Sequence, residues 1–155
     1  MPDAIAAALK AGDGEALAAA LARKKKPELV KPIAQKVDVS RWDVNAGKAL
    51  VGAAEWICAQ NIEHVRDFLP CLAIGAARAV HGKAADKARG AAVLAMLRPF
   101  VEADEWTADL VARSGCHFVR AHKLPEHGKT LRDLVRARKG IEKNPFFVEL
   151  LKLTA

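Results

Sequence analysis

NIEHVRDFLPCLAIGAARAVHGK, residues 61–83, spaces its apolar side chains as a helix does. Ile62, Val65, Leu69, Leu72, Ala76 and Val80 fall three or four positions apart, which lines them along one face of a helical coil. Asn61 is a suitable N-cap at the start, and His81 with Gly82 closes the run. Pro70 interrupts it. A proline lacks the N–H that would bond Arg66, so a kink or a split is predicted there.

The same pattern extends in both directions. Thirty-two of the 155 residues are alanine, and tyrosine is absent. Alanine, Leu, Lys, Arg and Glu have the best helix propensities, whereas strands favour β-branched and aromatic residues. The expectation is an all-α single domain over residues 1–155. About eight helices pack as antiparallel pairs, either as a short HEAT-like α-solenoid or as an irregular helical bundle.

Toward the N-terminus, residues 3–26 read as a helical hairpin broken at Gly12–Gly14, with Asp13 as the second N-cap and Pro27 as the stop. A short helix is predicted over Pro32–Val37. A longer one follows, capped by Ser40 or Asp43 and reaching about Gln60. Toward the C-terminus, a helix over residues 84–98 places Ala88, Ala92, Met96 and Leu97 inward, and Pro99 stops or kinks it. Asp104 caps a helix to about Lys123 with Trp106, Leu110, Val111, Phe118 and Val119 inward. Pro125–Gly128 reads as a loop, Thr130–Lys139 as a short basic helix closed by Gly140, and Asn144–Pro145 as the start of the last helix.

Two stretches lie 43 positions apart: GKALVGAAEWI from Gly47 and GAAVLAMLRPF from Gly90. Each leads to a capping residue, Asn61 or Asp104, and then to a second helix. Over about residues 44–123 this resembles HEAT and armadillo repeats, whose units are two or three helices of similar period. The resemblance implies a curved stack with a concave face for a partner. Some HEAT-like proteins are DNA alkylation glycosylases. The nearest stretch here, SRWDVNAG from Ser40, has Trp42 and Asp43 but Ala46 where that family places an acid, so the activity is not carried over.

No catalytic or metal signature stands out. Cys116, His117, His122 and His127 are close in sequence, but His117 and His122 do not share a helix face. Cys58, Cys71 and Cys116 read as buried thiols. Asp104, Glu105 and Asp109 near Trp106 suit a helix N-terminus on dipole grounds alone. There is no phosphate-binding glycine loop. The expectation is therefore no cofactor, no metal and no enzyme, with a HEAT-like glycosylase or hydrolase as the enzymatic alternative.

Charge gives the best functional lead. The net charge is +7, and two blocks hold the excess. Arg23, Lys24, Lys25 and Lys26 form the first; Arg132, Arg136, Lys139 and Lys143, with Arg138, form the second. Four- and three-residue steps put Arg132, Arg136 and Lys139 on one helical face. The expected function is a non-enzymatic binding or scaffold protein that docks an acidic or polyanionic partner through Arg23, Lys24, Lys25, Lys26, Arg132, Arg136, Lys139 and Lys143. The alternative is contact with a nucleic-acid backbone without base readout, since no aromatics are interleaved with the charges. The opening MPDAIAAALKAGDG has no signal-peptide pattern and no apolar run spans a membrane, so the expected location is cytoplasmic.

Overall fold

The quoted stretch is the centre of the molecule. The computed structural model describes residues 4–23 and 44–155. Its helices are α1 Ala4–Ala11, α2 Gly14–Ala22, α3 Val44–Gly52, α4 Ala54–Cys58, α5 Ile62–Val65, α6 Leu69–Val80, α7 Ala84–Ala103, α8 Glu105–His122, α9 Pro125–Val135 and α10 Pro145–Leu153. Two 3-10 turns, Arg66–Phe68 and Ile141–Lys143, complete the described elements. Among the described residues there is no strand, and no helix is long and apolar enough to cross a membrane. The fold is all-α.

Helix α6 packs against α3, α7, α8 and α9. Every residue from Leu69 to Ala77 is buried. Small side chains allow this. Ala73, Gly75, Ala76 and Ala77 let neighbouring helices approach on several sides, while Leu69, Leu72 and Ile74 fill the space between. One apolar cluster runs from Ile5 to Phe147 through this helix. A smaller one joins Cys116, Val119 and Leu150.

Local chemistry sets several boundaries as expected. Asp13 accepts from Ala16 N at 3.0 Å to start α2. Asn144 accepts from the N–H groups of Phe146 and Phe147 to start α10. Pro70 splits its helix: α5 ends at Val65, a 3-10 turn follows, and Pro70 sits in the first turn of α6, where its missing N–H costs no bond.

Other expectations are corrected. The helix expected to reach Gln60 breaks at Ala53, between α3 and α4. Helix α7 runs through Pro99 to Ala103. Leu97 and Val101, one turn apart on either side of the proline, are both 1 % exposed and hold the continuation against the core. The inward face of α7 is Gly90, Val93, Leu97 and Val101, while Ala88 and Ala92 face outward. Gly90 is the contact that decides this: a methyl there would lie 2.7 Å from Ala76 O and 2.8 Å from Val80 N, so α7 rests on the main chain of α6. Pro125–Gly128 is the first turn of α9 rather than a loop, with Pro125 at the helix start.

The two stretches 43 positions apart take different forms. The first is broken at Ala53 and the second is the continuous α7. Solenoid units touch only their neighbours, whereas α6 also meets α9, two helical pairs further along the chain. No repeat is identified. Trp42, Asp43 and the predicted Pro32–Val37 helix lie outside the described residues.

Candidate functional site

Helix α9 ends at Val135, and this changes the geometry of the second basic block. Arg132 is on the helix, Arg136 is its C-cap, and Lys139 lies in the turns beyond. The single helical face expected for Arg132, Arg136 and Lys139 does not form. Gly140, at φ 86°, takes a left-handed conformation that glycine adopts without steric cost and turns the chain into the 3-10 segment ending at Lys143.

The cations then divide into two sets. Arg132 and Arg136 serve the fold. Both approach Asp133 Oδ1, Arg132 Nε at 3.4 Å and Arg136 Nη1 at 3.3 Å. Arg132 Nη1 also donates to Thr154 Oγ1 at 3.2 Å, tying α9 to the end of α10. The Arg136 guanidinium stands 5.9 Å over the Phe147 ring. Lys139 and Lys143 are exposed, and neither makes an ion pair among the described residues. Arg23 caps α2 and is exposed. Lys24, Lys25 and Lys26 lie outside the described residues.

Lys139 and Lys143 border a recess of about 420 Å³ with Arg138, Glu105, Asp109 and Asn144. Its walls are fixed by hydrogen bonds. Arg138 Nη1 donates to Glu102 O at 2.9 Å, fastening the turn to the end of α7. Asn144 Nδ2 donates to Asp109 Oδ1 at 2.8 Å while its own Oδ1 caps α10. The backbone N–H of Lys143 bonds Gly140 O. The lysines thus extend from a braced backbone.

Next along α8 from Glu105, which lines this recess, is Trp106, expected in the core but 58 % exposed. It shares a face of α8 with Asp109, Arg113, His117 and Arg120, at three- and four-residue steps, and none of the five is buried. The opposite face, Ala108, Val111, Ala112, Gly115 and Phe118, is buried. That polar company was readable in the sequence and places Trp106 outside. Trp is among the residue types enriched at the energetic centres of protein interfaces.

Two of the acids expected near Trp106, Asp104 and Asp109, have structural partners. Asp104 caps α8, accepting from Thr107 N at 3.1 Å and Thr107 Oγ1 at 2.6 Å. It also pairs with Arg66 at 3.1 Å. Burial pushes its carboxyl up, but the hydrogen bonds from Thr107 and Arg66 outweigh it and hold the group below its ordinary range. The thiols of Cys58 and Cys116 are chemically quiet. Burial pushes Cys58 up to about 11. Burial also raises Cys116, against a smaller opposing pull from Arg120, and its Sγ donates to Phe146 O. Thiols held protonated are poor nucleophiles. Among the described residues, no three His, Cys, Asp or Glu side chains are placed to hold a metal ion.

The histidines converge elsewhere. His81 and His127 stack at 4.6 Å, and His127 and His122 both pack near the Phe118 ring. His81 Nε2 bonds Thr130 Oγ1 at 2.9 Å. Burial, helped by the nearby His81 and Arg78, pushes His127 down to about 4. His117 is exposed and takes no part. Compared with protein-family models, with curated proteins and with solved structures, the chain matches none of them.

Proposed function

We propose that the protein is a non-enzymatic binding or scaffold protein that docks an acidic protein surface through Lys139, Lys143 and Trp106. The observation that carries this reading is the pair of exposed lysines on a turn braced by Arg138, Gly140 and Asn144. A braced turn loses little conformational freedom on binding, so more of the contact energy becomes affinity. Trp106 supplies the apolar anchor that charge alone lacks.

A protein partner fits better than a nucleic-acid backbone. Glu105 and Asp109 line the same recess as the lysines. They would repel closely spaced phosphates, whereas a protein surface can match a mixed pattern of charge. Two further members of the basic block, Arg132 and Arg136, are already engaged with Asp133.

The test is a titration of tryptophan emission with a poly-glutamate peptide and, separately, with mixed-sequence duplex DNA, at low and high salt. The Trp106→Phe variant identifies the signal of this tryptophan. The peptide should shift Trp106 emission, with the effect lost in the Lys139→Glu/Lys143→Glu variant. Tighter binding to the duplex, with a steep salt slope, would replace the protein partner by a phosphate backbone.

A further inference from the structure

A second recess lies away from the basic block, over the crossing of α3 and α6. Its floor is main chain. A methyl at Gly75 would lie 3.0 Å from Gly47 O, so the two helices touch backbone to backbone. The recess has a volume of about 420 Å³, within the range of small-molecule sites. Val44, Val51 and Ala79 give it apolar walls, and among the described residues Lys48, Arg78 and Arg89 bring three cations against one acid, Asp86.

The three cations are in different states. Arg89 is engaged: Nη1 bonds Glu55 Oε1 and Nη2 bonds Val51 O, each at 3.1 Å. Lys48 is exposed. Arg78 makes no hydrogen bond or ion pair among the described residues, and its Nε is buried without a partner. Its guanidinium lies 5.2 Å from the centre of the Phe118 ring, which supports one side of it. Burial lowers the pKa of Arg78, which records the cost of withdrawing its charge from water. A partly desolvated guanidinium with no acidic partner among the described residues favours an oxyanion, because the planar fork can give two charge-assisted hydrogen bonds to one.

We propose that this recess binds a small organic monocarboxylate, its head on Arg78 and Lys48 and its short apolar body against Val44 and Val51. Asp86 at the rim disfavours a doubly charged head, so a carboxylate suits the site better than a phosphate ester. This site is independent of the docking surface at Lys139 and Lys143.

Hexanoate is the probe, followed by calorimetry and amide chemical shifts on the full chain. Saturable binding is expected, with shifts at Gly47, Gly75 and Ala79. Affinity should fall at least about tenfold in Arg78→Met and in the exposed-site variant Lys48→Glu. It should be unchanged in Lys139→Glu/Lys143→Glu. Should Arg78→Met fail to fold by circular dichroism, Lys48→Glu carries the comparison. Absence of saturation, equal binding of uncharged hexanol, or undiminished binding by the folded variants would overturn the proposal. So would an equal loss in the Lys139→Glu/Lys143→Glu protein, since that would make the effect one of total charge.

Discussion

Arg66 Nε donates to Asp104 Oδ2 across 3.1 Å, joining the 3-10 turn before α6 to the N-cap of α8. The residues are 38 positions apart. One carboxylate therefore starts a helix and fixes that helix against the central one. Asp104→Ala removes the cap, the Thr107 hydroxyl bond and the ion pair together. The expected loss is about 1–2 kcal/mol from the cap alone, with a fall in Tm of roughly 2–4 °C per kcal/mol for a chain of this size. Asp104→Asn keeps an oxygen for the cap and should lose less. Thermal melts followed by circular dichroism separate the two. Because the folded pKa is depressed, the stabilisation is present above the unfolded value of 3.8 and is lost as pH falls through the lower folded value.

Glycine contacts give a contrast within one class of substitution. Gly90→Ala should destabilise by about 1–3 kcal/mol, because the new methyl meets main-chain atoms of α6 that cannot retreat. Gly115→Ala meets only the terminal methyls of Leu150 and Leu131, at 3.3 and 3.5 Å. There the gain in helix propensity, about 1 kcal/mol, should cancel or exceed the crowding. Urea unfolding of both variants checks the order.

His127 predicts an acid-dependent stability. Its folded pKa, about 4, lies below its ordinary value of 6.5. The unfolded chain therefore binds the proton first as pH falls, and stability declines from about pH 6.5 down to about pH 4. The charges facing it are Arg78 from α6 and His81 at the C-cap of that helix, which oppose protonation, and Glu126 from its own helix, which favours it. His122 shares the Phe118 ring from α8. His127→Leu should flatten the stability profile over that interval, read as urea midpoints at successive pH values.

Asp133→Asn should release Arg132 and Arg136 from their shared carboxylate. Arg136 and Asp133 are mostly exposed, so stability should change by less than about 1 kcal/mol. Binding of poly-glutamate should strengthen and become more salt-sensitive, measured as anisotropy of a labelled peptide.

Features that depend on neighbouring residues were legible in the sequence. Asp13, Asp104 and Asn144 each cap a helix because the acceptor and the N–H groups it serves are two or three positions apart. The all-α class follows from the same local propensities, and Pro70 marks its split by chemistry internal to the chain. Features set by distant partners were not legible. In an alanine-rich helix such as α7, apolar pattern has little contrast, and the inward face is decided by Gly90 fitting against α6. The end of α9 at Val135, which separates Lys139 from Arg136, is followed by a turn fixed through Arg138 and Glu102, 36 positions apart. The basic block was visible as composition, but which of its cations stay available depends on Asp133, Thr154 and Phe147. Trp106 is the exception: the polar residues sharing its helix face were in plain view.

The most direct test of the docking surface is a map of amide and indole shifts on adding poly-glutamate to the uniformly labelled protein. A contiguous set of changes is expected at the Trp106 indole, Lys139, Gly140 and Lys143, with the Arg132 and Arg136 amides little affected. Changes centred on Arg23 and the lysines that follow it, or spread evenly over every exposed cation, would contradict it.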